Sequence, residues 1–302
     1  MNFKDLFGGI SGCGLATDSF DLGEGVTLSN TYVHLMAPFI AAFSPPGPGG
    51  YHPAPWSAAE GGFGFDIHVQ LHVPASFAIS NWLDRDDTIW WIAALLRLIG
   101  VPFMTVPVVS DTPFASIPEL EHQPQLRPME VTRRILEPAE ESNRVLRDED
   151  LSWVRDHWIE GGFLMHSNNK LNTAFRAFDS AMTQGRASLS LISLWGGLEQ
   201  LFSPSRGELR FRVSAMIASF LEPPGPKRLS LYKRILKLYN ERSTAAHTAS
   251  DVKVGPLLET YVLMRNALVR IIDESHVPTR DDLEALLFGA TDDNCCLERR
   301  LS

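Results

Sequence analysis

The sequence predicts an α+β protein in which an N-terminal mixed, mainly-β domain is followed by a C-terminal all-α helical bundle. Between residues 63 and 73, apolar and polar residues alternate with a period of two, which is typical of a strand with one buried face. From Asp148 onward, apolar residues instead recur at intervals of three and four in successive segments. That spacing is typical of helices that share a core. The change of period predicts two domains in this order.

The composition is that of an ordinary globular protein. The chain has 302 residues, of which 44% are hydrophobic and 21% charged, so both domains are long enough to form a core. The net charge of −9 argues against non-specific binding to duplex nucleic acid, because such proteins carry a basic face. The three cysteines, Cys13, Cys295 and Cys296, have neither a disulfide pattern nor metal-ligand spacing, which favours a reducing, cytoplasmic setting.

No segment of the sequence predicts a membrane partner. The longest apolar run, residues 89–96, is much shorter than the ~20 residues that a spanning helix needs. The first residues also lack the basic and then apolar pattern of a signal peptide. We therefore expect a protein that acts away from the membrane.

The N-terminal domain is expected to cover residues 1–112, as a mixed α/β or mainly-β unit. Pro107 predicts that its last strand lies at a sheet edge, because proline cannot donate to a strand ladder. His68 and His72 lie on one face of a strand but about 13 Å apart along it, which is too far to bind one metal ion together. The predicted segments are strand 25–28, an exposed Pro- and Gly-rich loop 44–56, strand 63–73, helix 86–100 and strand 103–109.

The remainder divides by composition into a Pro-rich linker with little core at residues 113–147, a helical domain at 148–290 and a polar tail at 291–302. Gly161 and Gly162 are expected to end the first helix, because glycine is a poor helix former. A Pro-rich segment at 222–226 separates the fourth helix from the fifth. The predicted helices are 148–159, 169–183, 188–202, 208–221, 229–247 and 254–275.

The helix predicted at 229–247 has an unusual last turn, with Arg242 followed after four residues by His247. Cations at a helix C-terminus are stabilised by the helix dipole, by roughly 0.3–1 kcal/mol each. The polar residues that follow, including Thr248 and Ser250, favour caps and turns over helix interiors. The sequence therefore places an arginine and a titratable imidazole at a chain reversal, where side chains can face a cleft.

An arginine, four residues and a histidine at the end of the third helix of a four-helix unit resemble the RxxxxH motif of the HEPN superfamily. The wider context, in segments 191–202, 207–212 and 239–243, resembles the Apea-like branch of that family. The resemblance covers roughly residues 150–290. It departs from the family at Thr248, where a glycine is common.

The resemblance implies a HEPN-like helical bundle and a homodimer. In that family, two protomers pack so that both motifs line a shared groove, and one chain supplies only one arginine and one histidine. The implied catalytic residues are Arg242 and His247. The implied substrate and partner is RNA.

These two residue types suit the cleavage of RNA, which carries its own nucleophile in the 2′-hydroxyl group. Histidine transfers protons near neutral pH, and the arginine fork donates two parallel hydrogen bonds to a phosphate. No metal or other cofactor is expected, because the sequence contains no cluster of ligands for one. Residues five apart diverge by about 140° on a regular helix, so we expect the last turn to unwind if Arg242 and His247 share a cleft.

Three further residues are candidates for supporting roles. Ser243 shares a helix face with His247 and would orient the imidazole or bind the phosphate. Tyr239 belongs to the motif segment, and Glu199 matches an acidic position in the family. Glu199 either orients the catalytic pair or forms a structural salt bridge with Arg242. The RNA-binding candidates are Lys237, Arg234 and Arg212, although this basic region also fits a solvated helix face.

Two functions follow from these residues. The first is a metal-independent endoribonuclease that cleaves single-stranded RNA in a toxin or antiviral-defence role, with the N-terminal domain as sensor or specificity module. The alternative is a non-catalytic HEPN-like dimerisation or nucleotide-binding module, in which Arg242 and His247 brace a helix corner. Exposure of the arginine and histidine at a two-fold interface would distinguish the two functions.

Overall fold

The computed structural model describes residues 5–77, 83–130, 145–203, 209–247 and 254–290. Strands of an antiparallel sheet come first along the chain and helices follow, which confirms the predicted α+β class. None of the helices in these ranges is both long and apolar enough to cross a membrane. The predicted polar tail, 291–302, lies outside the described residues.

The main sheet is antiparallel, with the strand order β3-β4-β5-β1-β6-β7. A separate parallel pair joins β2 to β8. The two longest strands, β4 and β5, form a hairpin around the predicted Pro- and Gly-rich loop. The strands are β1 (Leu6–Ser11), β2 (Gly14–Leu15), β3 (Ser19–Asp21), β4 (Thr27–Ala42), β5 (Trp56–Val73), β6 (Thr105–Ser110), β7 (Leu126–Pro128) and β8 (Val145–Leu146).

One face of the sheet packs against the helix predicted at 86–100, observed as α1 (Arg85–Ile99). Alternate residues of β5, from Ile67 to Val73, are fully buried, as the period of two predicts. A Cβ atom on Gly8 of β1 would lie only 2.8 Å from Ile89 Cγ2. Glycine at this position therefore lets the helix approach the sheet closely.

The prediction that Pro107 marks an edge strand is wrong. Strand β6 pairs with β1 on one side and with β7 on the other. The β1–β6 register shifts between Gly9 and Ser11, opposite Pro107, so the missing N–H group falls at an irregularity of the ladder. The carbonyl oxygen of Pro107 still accepts from the backbone N–H of Met129.

The first part of the predicted linker is packed structure. Phe114 starts a 3-10 helix at Phe114–Glu119 and is only 1% exposed, in a cluster with Phe7, Ile67 and Val108. Its backbone N–H also donates to Gln70 Oε1 at 2.8 Å. The predicted linker therefore contains this 3-10 helix and strands β7 and β8, and one buried aromatic residue is enough to anchor its first part. The rest of the predicted linker, 131–144, lies outside the described residues.

The chain divides into two compact units, and the division differs from the predicted boundary at residue 112. Ala94–Pro102, at the end of α1, belongs to the helical unit. Arg97 forms an ion pair of 2.7 Å with Asp179 in this unit, and both side chains are almost fully buried. Arg265 donates to the carbonyl oxygens of Leu98 and Ile99. These contacts between residues distant in sequence have no local sequence signal.

The second unit, which includes α2 from Asp156 onward, is helical as predicted, with two differences. Helix α2 continues through Gly161 and Gly162, because burial of Trp158 and Met165 outweighs a helix-propensity cost of about 1 kcal/mol per glycine. Helix α8 was not predicted; it begins at a capping box between Thr279 and Asp282. The helices are α2 (Asp148–Ser167), α3 (Asn169–Ser180), α4 (Ala187–Phe202), α5 (Leu209–Leu221), α6 (Pro226–His247), α7 (Val254–Asp273) and α8 (Arg280–Phe288).

Helix α4 lies at the centre of this unit. A Cβ atom on Gly197 would lie 2.5 Å from Met264 Cε on α7 and 3.1 Å from Ala174 Cα on α3. The missing side chain therefore lets α4 pack closely between these two helices. This packing fixes the end of α4 that carries Trp195 and Glu199.

Candidate active site at the end of helix α6

Helix α6 carries the Arg-x4-His motif, and its sequence explains where it begins and which side it buries. Pro226 is its first residue, a position where proline is favoured because the N–H group has no helical partner there. Ile235, Leu238 and Tyr239 are buried at the spacing of a helix face. The described part of the helix extends through His247.

Three side chains form a network between α4 and α6, which we call the Glu199 network: Glu199, Tyr239 and Arg242. The Tyr239 hydroxyl donates to Glu199 Oε1 at 3.0 Å, and Arg242 Nη2 lies 3.3 Å from the same oxygen. Arg242 Cζ is 5.6 Å from the centre of the Tyr239 ring, within cation–π distance. One carboxylate oxygen thus holds both the phenol and the guanidinium group.

The Glu199 network is partly open to solvent. The Arg242 side chain is 27% exposed and the Glu199 side chain 19%, whereas Tyr239 is buried. The pKa of Tyr239 is raised, first by burial and then by the charge and hydrogen bond of Glu199. The phenol therefore stays neutral at ordinary pH and donates its hydrogen bond to Glu199.

Two buried nitrogen atoms around Tyr239, Arg242 Nε and Trp195 Nε1, have no hydrogen-bond partner among the described residues. The Trp195 ring packs edge-on against Tyr239, with ring centres 5.0 Å apart. A buried donor without an acceptor costs about 1–3 kcal/mol, so such groups call for an explanation such as a bound water or a functional role. The unpaired Arg242 Nε is withdrawn from solvent, so only the exposed end of the guanidinium group can meet a ligand.

Trp195 was missed by the sequence analysis. It lies four residues before Glu199 on α4, so the two share one helix face. That spacing is the signal that would have identified it. In the sequence, Trp195 is explained well enough as a residue of the helical core. Only the structure places its ring against Tyr239.

The last turn of α6 was expected to unwind if Arg242 and His247 share a cleft. It is not unwound in the structure: the backbone is helical through His247. On a regular helix, backbone positions 242 and 247 are about 140° apart around the axis. The side chain of His247 lies outside the described part of the chain. Ser243 is half-buried and precedes His247 by four residues.

The predicted RNA-binding residues differ in their surroundings. Arg234 is exposed but forms a two-pronged ion pair with Glu259 of α7. The hydrogen bond between them raises the pKa of Arg234 and lowers that of Glu259. Lys237 is exposed one turn further along α6, and Arg212 is half-buried on α5. Of the three predicted RNA-binding residues, Lys237 and Arg234 lie together on the surface of α6. The guanidinium group of Arg234 already pairs with the Glu259 carboxylate.

The described ranges contain no group of three or more His, Cys, Asp or Glu side chains that could hold a metal ion. Comparison of the chain with protein-family models, with characterised proteins and with solved structures finds no match.

Proposed function

We propose that the helical unit is a metal-independent endoribonuclease of the HEPN type that cleaves single-stranded RNA. The observation that carries the proposal is the Glu199 network. It holds a partly exposed arginine within the last two turns of α6, five residues before a histidine. Because 27% of the Arg242 side chain is exposed, its guanidinium group can stabilise the charge that develops on a reacting phosphate.

The reaction needs only the chain's own groups and RNA. His247 takes the proton of the 2′-hydroxyl, and the 2′ oxygen forms a bond to phosphorus. The bond from phosphorus to the 5′ oxygen breaks, and that oxygen takes a proton from the His247 of a second copy. Arg242 binds the phosphorane oxygens, and this step requires the last turn of α6 to unwind when RNA binds, so that Arg242 and His247 reach the same phosphate. The products are a 2′,3′-cyclic phosphate and a 5′-hydroxyl, and the need for a second histidine implies a homodimer.

The first prediction tests this chemistry. Replacing His247→Ala or Arg242→Ala should each lower single-stranded RNA cleavage by about 10²–10⁴-fold, and EDTA should have no effect. Arg242→Lys should also be poor, because an ammonium group lacks the planar fork. Gel assays of labelled RNA give the rate, and mass spectrometry identifies the cyclic phosphate ends.

Arg280→Ala is the matched control, since Arg280 is an exposed arginine paired with Glu284 on α8. This variant also removes one arginine charge, but at a position distant in sequence from the Glu199 network. It should leave RNA cleavage unchanged. Equal loss in this control, or cleavage that survives both site variants, would refute the assignment.

A second candidate is a non-catalytic HEPN-like dimerisation or nucleotide-binding module. It is favoured by the pairing of Arg242 with Glu199 and the enclosure of Arg242 Nε, which suit a structural brace. In that case wild-type protein leaves every RNA intact, and Arg242→Ala lowers the melting temperature strongly. Thermal unfolding beside the cleavage assay separates the two functions.

The cellular role that fits this proposal is that of a cytoplasmic toxin or defence protein, with the N-terminal unit as its sensor. The lack of a disulfide pattern among three cysteines supports a reducing compartment. Expression of the wild-type chain should then arrest cell growth, and Arg242→Ala should relieve the arrest. Equal growth with both proteins would count against a toxin.

A further inference from the structure

The first turn of helix α5 carries an aromatic side chain that is more than half exposed. Phe211 is 53% exposed, and its ring packs against the half-buried Tyr232 of α6, with ring centres 5.9 Å apart and ring planes at 79°. In such an edge-to-face pair, each ring uses only one edge or one face for the contact. Together with the exposure of Phe211, this arrangement leaves a face of its ring open to a flat ligand.

A hydrogen bond joins the same part of α5 to α6. Arg210, the residue before Phe211, donates from Nη1 to Asn240 Oδ1 at 3.1 Å. On a regular helix, backbone position 247 is about 20° from position 240 around the axis and about 60° from position 232. The aromatic pair therefore lies on the side of α6 that leads towards His247, about 22 Å before it along the helix.

Helices α5 and α6 are basic, although the protein is acidic. Together they contain eight Lys or Arg and one Glu, whereas the whole chain has 27 Lys or Arg and 36 Asp or Glu. Arg210, Lys233 and Lys237 are exposed on these helices. Lys233 follows Tyr232 directly, and its backbone position is about 20° from that of Asn240 around the axis of α6. The aromatic pair thus has cations beside it on both helices, and this surface is complementary to a polyanion.

Aromatic rings beside cations suit a single-stranded nucleic acid, because its bases stack on the rings while its phosphates meet the charges. A duplex suits this surface less well, because its bases are already stacked on one another. A helix that binds a membrane surface presents a row of large apolar residues instead. In the described part of α6, Leu229 is the one large apolar side chain that is mostly exposed.

We propose that Phe211, supported by Tyr232, is a stacking platform for one base of a single-stranded RNA, and that Lys233 contacts a neighbouring phosphate. The choice of RNA rests on the ribonuclease activity proposed above. The platform holds the strand at one point, and the scissile phosphate lies further along at the end of α6. These residues therefore bind the substrate and take no part in the bond-breaking step.

The test is the binding of a single-stranded RNA of about 12 nucleotides to the full chain, measured by fluorescence anisotropy. Every 2′-hydroxyl of this RNA is methylated, so the nucleophile is absent and wild-type protein can be used. Phe211→Ala should raise the dissociation constant roughly 5–100-fold. Phe211→Tyr keeps a ring and should stay close to wild type. The matched control is Phe288→Ala, which removes an exposed phenylalanine from α8 and should leave the dissociation constant unchanged.

The salt dependence of binding tests the contact with a phosphate. Lys233→Gln should make the slope of log K against log salt about 0.7 less steep, which is the value for one phosphate contact with a single strand. Lys170→Gln replaces an exposed lysine on α3 and should leave the slope unchanged. Phe211→Ala should also keep the wild-type slope, because a stacked ring releases no counterions.

A modified RNA distinguishes stacking from a loss of structure in the Phe211→Ala variant. When the bases are removed from the methylated RNA and its phosphates are kept, wild-type protein should bind it more weakly. Phe211→Ala should bind this abasic RNA as well as wild-type protein does. An equal loss on both RNAs would overturn the proposal, because Phe211 would then not stack on a base.

Three other results would also overturn the platform: no binding of the methylated RNA by wild-type protein, equal dissociation constants for Phe211→Ala and Phe288→Ala, or binding to phosphatidylserine vesicles instead of RNA. The proposed activity is judged separately, on unmodified RNA. Cleavage of that RNA without any effect of Phe211→Ala on binding keeps the activity and refutes the platform. Binding through Phe211 without cleavage keeps the platform and refutes the activity.

Discussion

At the scale of single residues, Glu199 decides how Arg242 is presented. Its Oε1 atom accepts the hydrogen bond of Tyr239 and forms the ion pair with Arg242, so the position of the guanidinium depends on one carboxylate. The sequence left two roles open for Glu199, as an orienter or as a structural salt bridge. Both roles require the observed contact between Glu199 and Arg242. Substitution of Glu199 is therefore needed to distinguish the two roles.

The second prediction therefore concerns Glu199. Glu199→Ala leaves the Tyr239 hydroxyl without its acceptor and Arg242 without its ion-pair partner, so the free energy of unfolding should fall by about 1–3 kcal/mol. Glu199→Gln keeps a neutral oxygen that still accepts, so its loss should be smaller. If Glu199 orients Arg242, RNA cleavage should fall in the same order. Urea unfolding and cleavage rates give both quantities.

Stability that falls with unchanged cleavage would make Glu199 a purely structural brace. Unchanged values in both variants would mean that the Glu199 network has no energetic role. Tyr239→Phe is a useful companion, since it removes only the hydroxyl donor and leaves the ion pair in place.

At the scale of elements, the close packing of α4 sets the position of the Glu199 network. Gly196 and Gly197 are neighbours in sequence but differ in surroundings. A Cβ atom on Gly196 would meet nothing within 4 Å, whereas on Gly197 it would collide with Met264 and with the backbone of Ala174. Sequence alone does not distinguish these two glycines.

The third prediction uses this pair as its own control. Gly196→Ala should raise the free energy of unfolding by about 0.5–1 kcal/mol, because alanine is the better helix former. Gly197→Ala should lower it by about 1–3 kcal/mol, because the added methyl group overfills the contact with α3. It should also slow RNA cleavage, since α4 carries Glu199 two residues further on. Urea unfolding measures the change in the free energy of unfolding. A change of the same sign in both variants would contradict the close packing of Gly197 against α3 and α7.

At the scale of the whole molecule, the end of α1 belongs to the helical unit and not to the domain that precedes it in sequence. The ion pair of Arg97 with Asp179 is the clearest reason, because both side chains are withdrawn from water. Removing one partner of a buried ion pair leaves a buried charge without compensation.

The fourth prediction follows from this pair. Arg97→Ala should lower the free energy of unfolding by about 3–5 kcal/mol, whereas replacing both residues by apolar ones of similar size should recover most of the loss. Hydrogen exchange should show faster exchange in α3 and α4, with β1 and β5 much less affected. Faster exchange confined to the sheet would contradict the assignment of Arg97 to the helical unit.

The sequence by itself determined the α+β class, the strand 63–73, most of the helices and the position of the Arg-x4-His motif near a helix end. These features depend on residues close together in the chain, whose hydrophobic period is set by strand and helix geometry. It did not determine the pairing of β6 on both sides, the burial of Phe114, the continuation of α2 through two glycines, or the sharing of Glu199 by Tyr239 and Arg242. Each of these depends on contacts between residues distant in sequence, and a buried contact outweighs a local preference of about 1 kcal/mol.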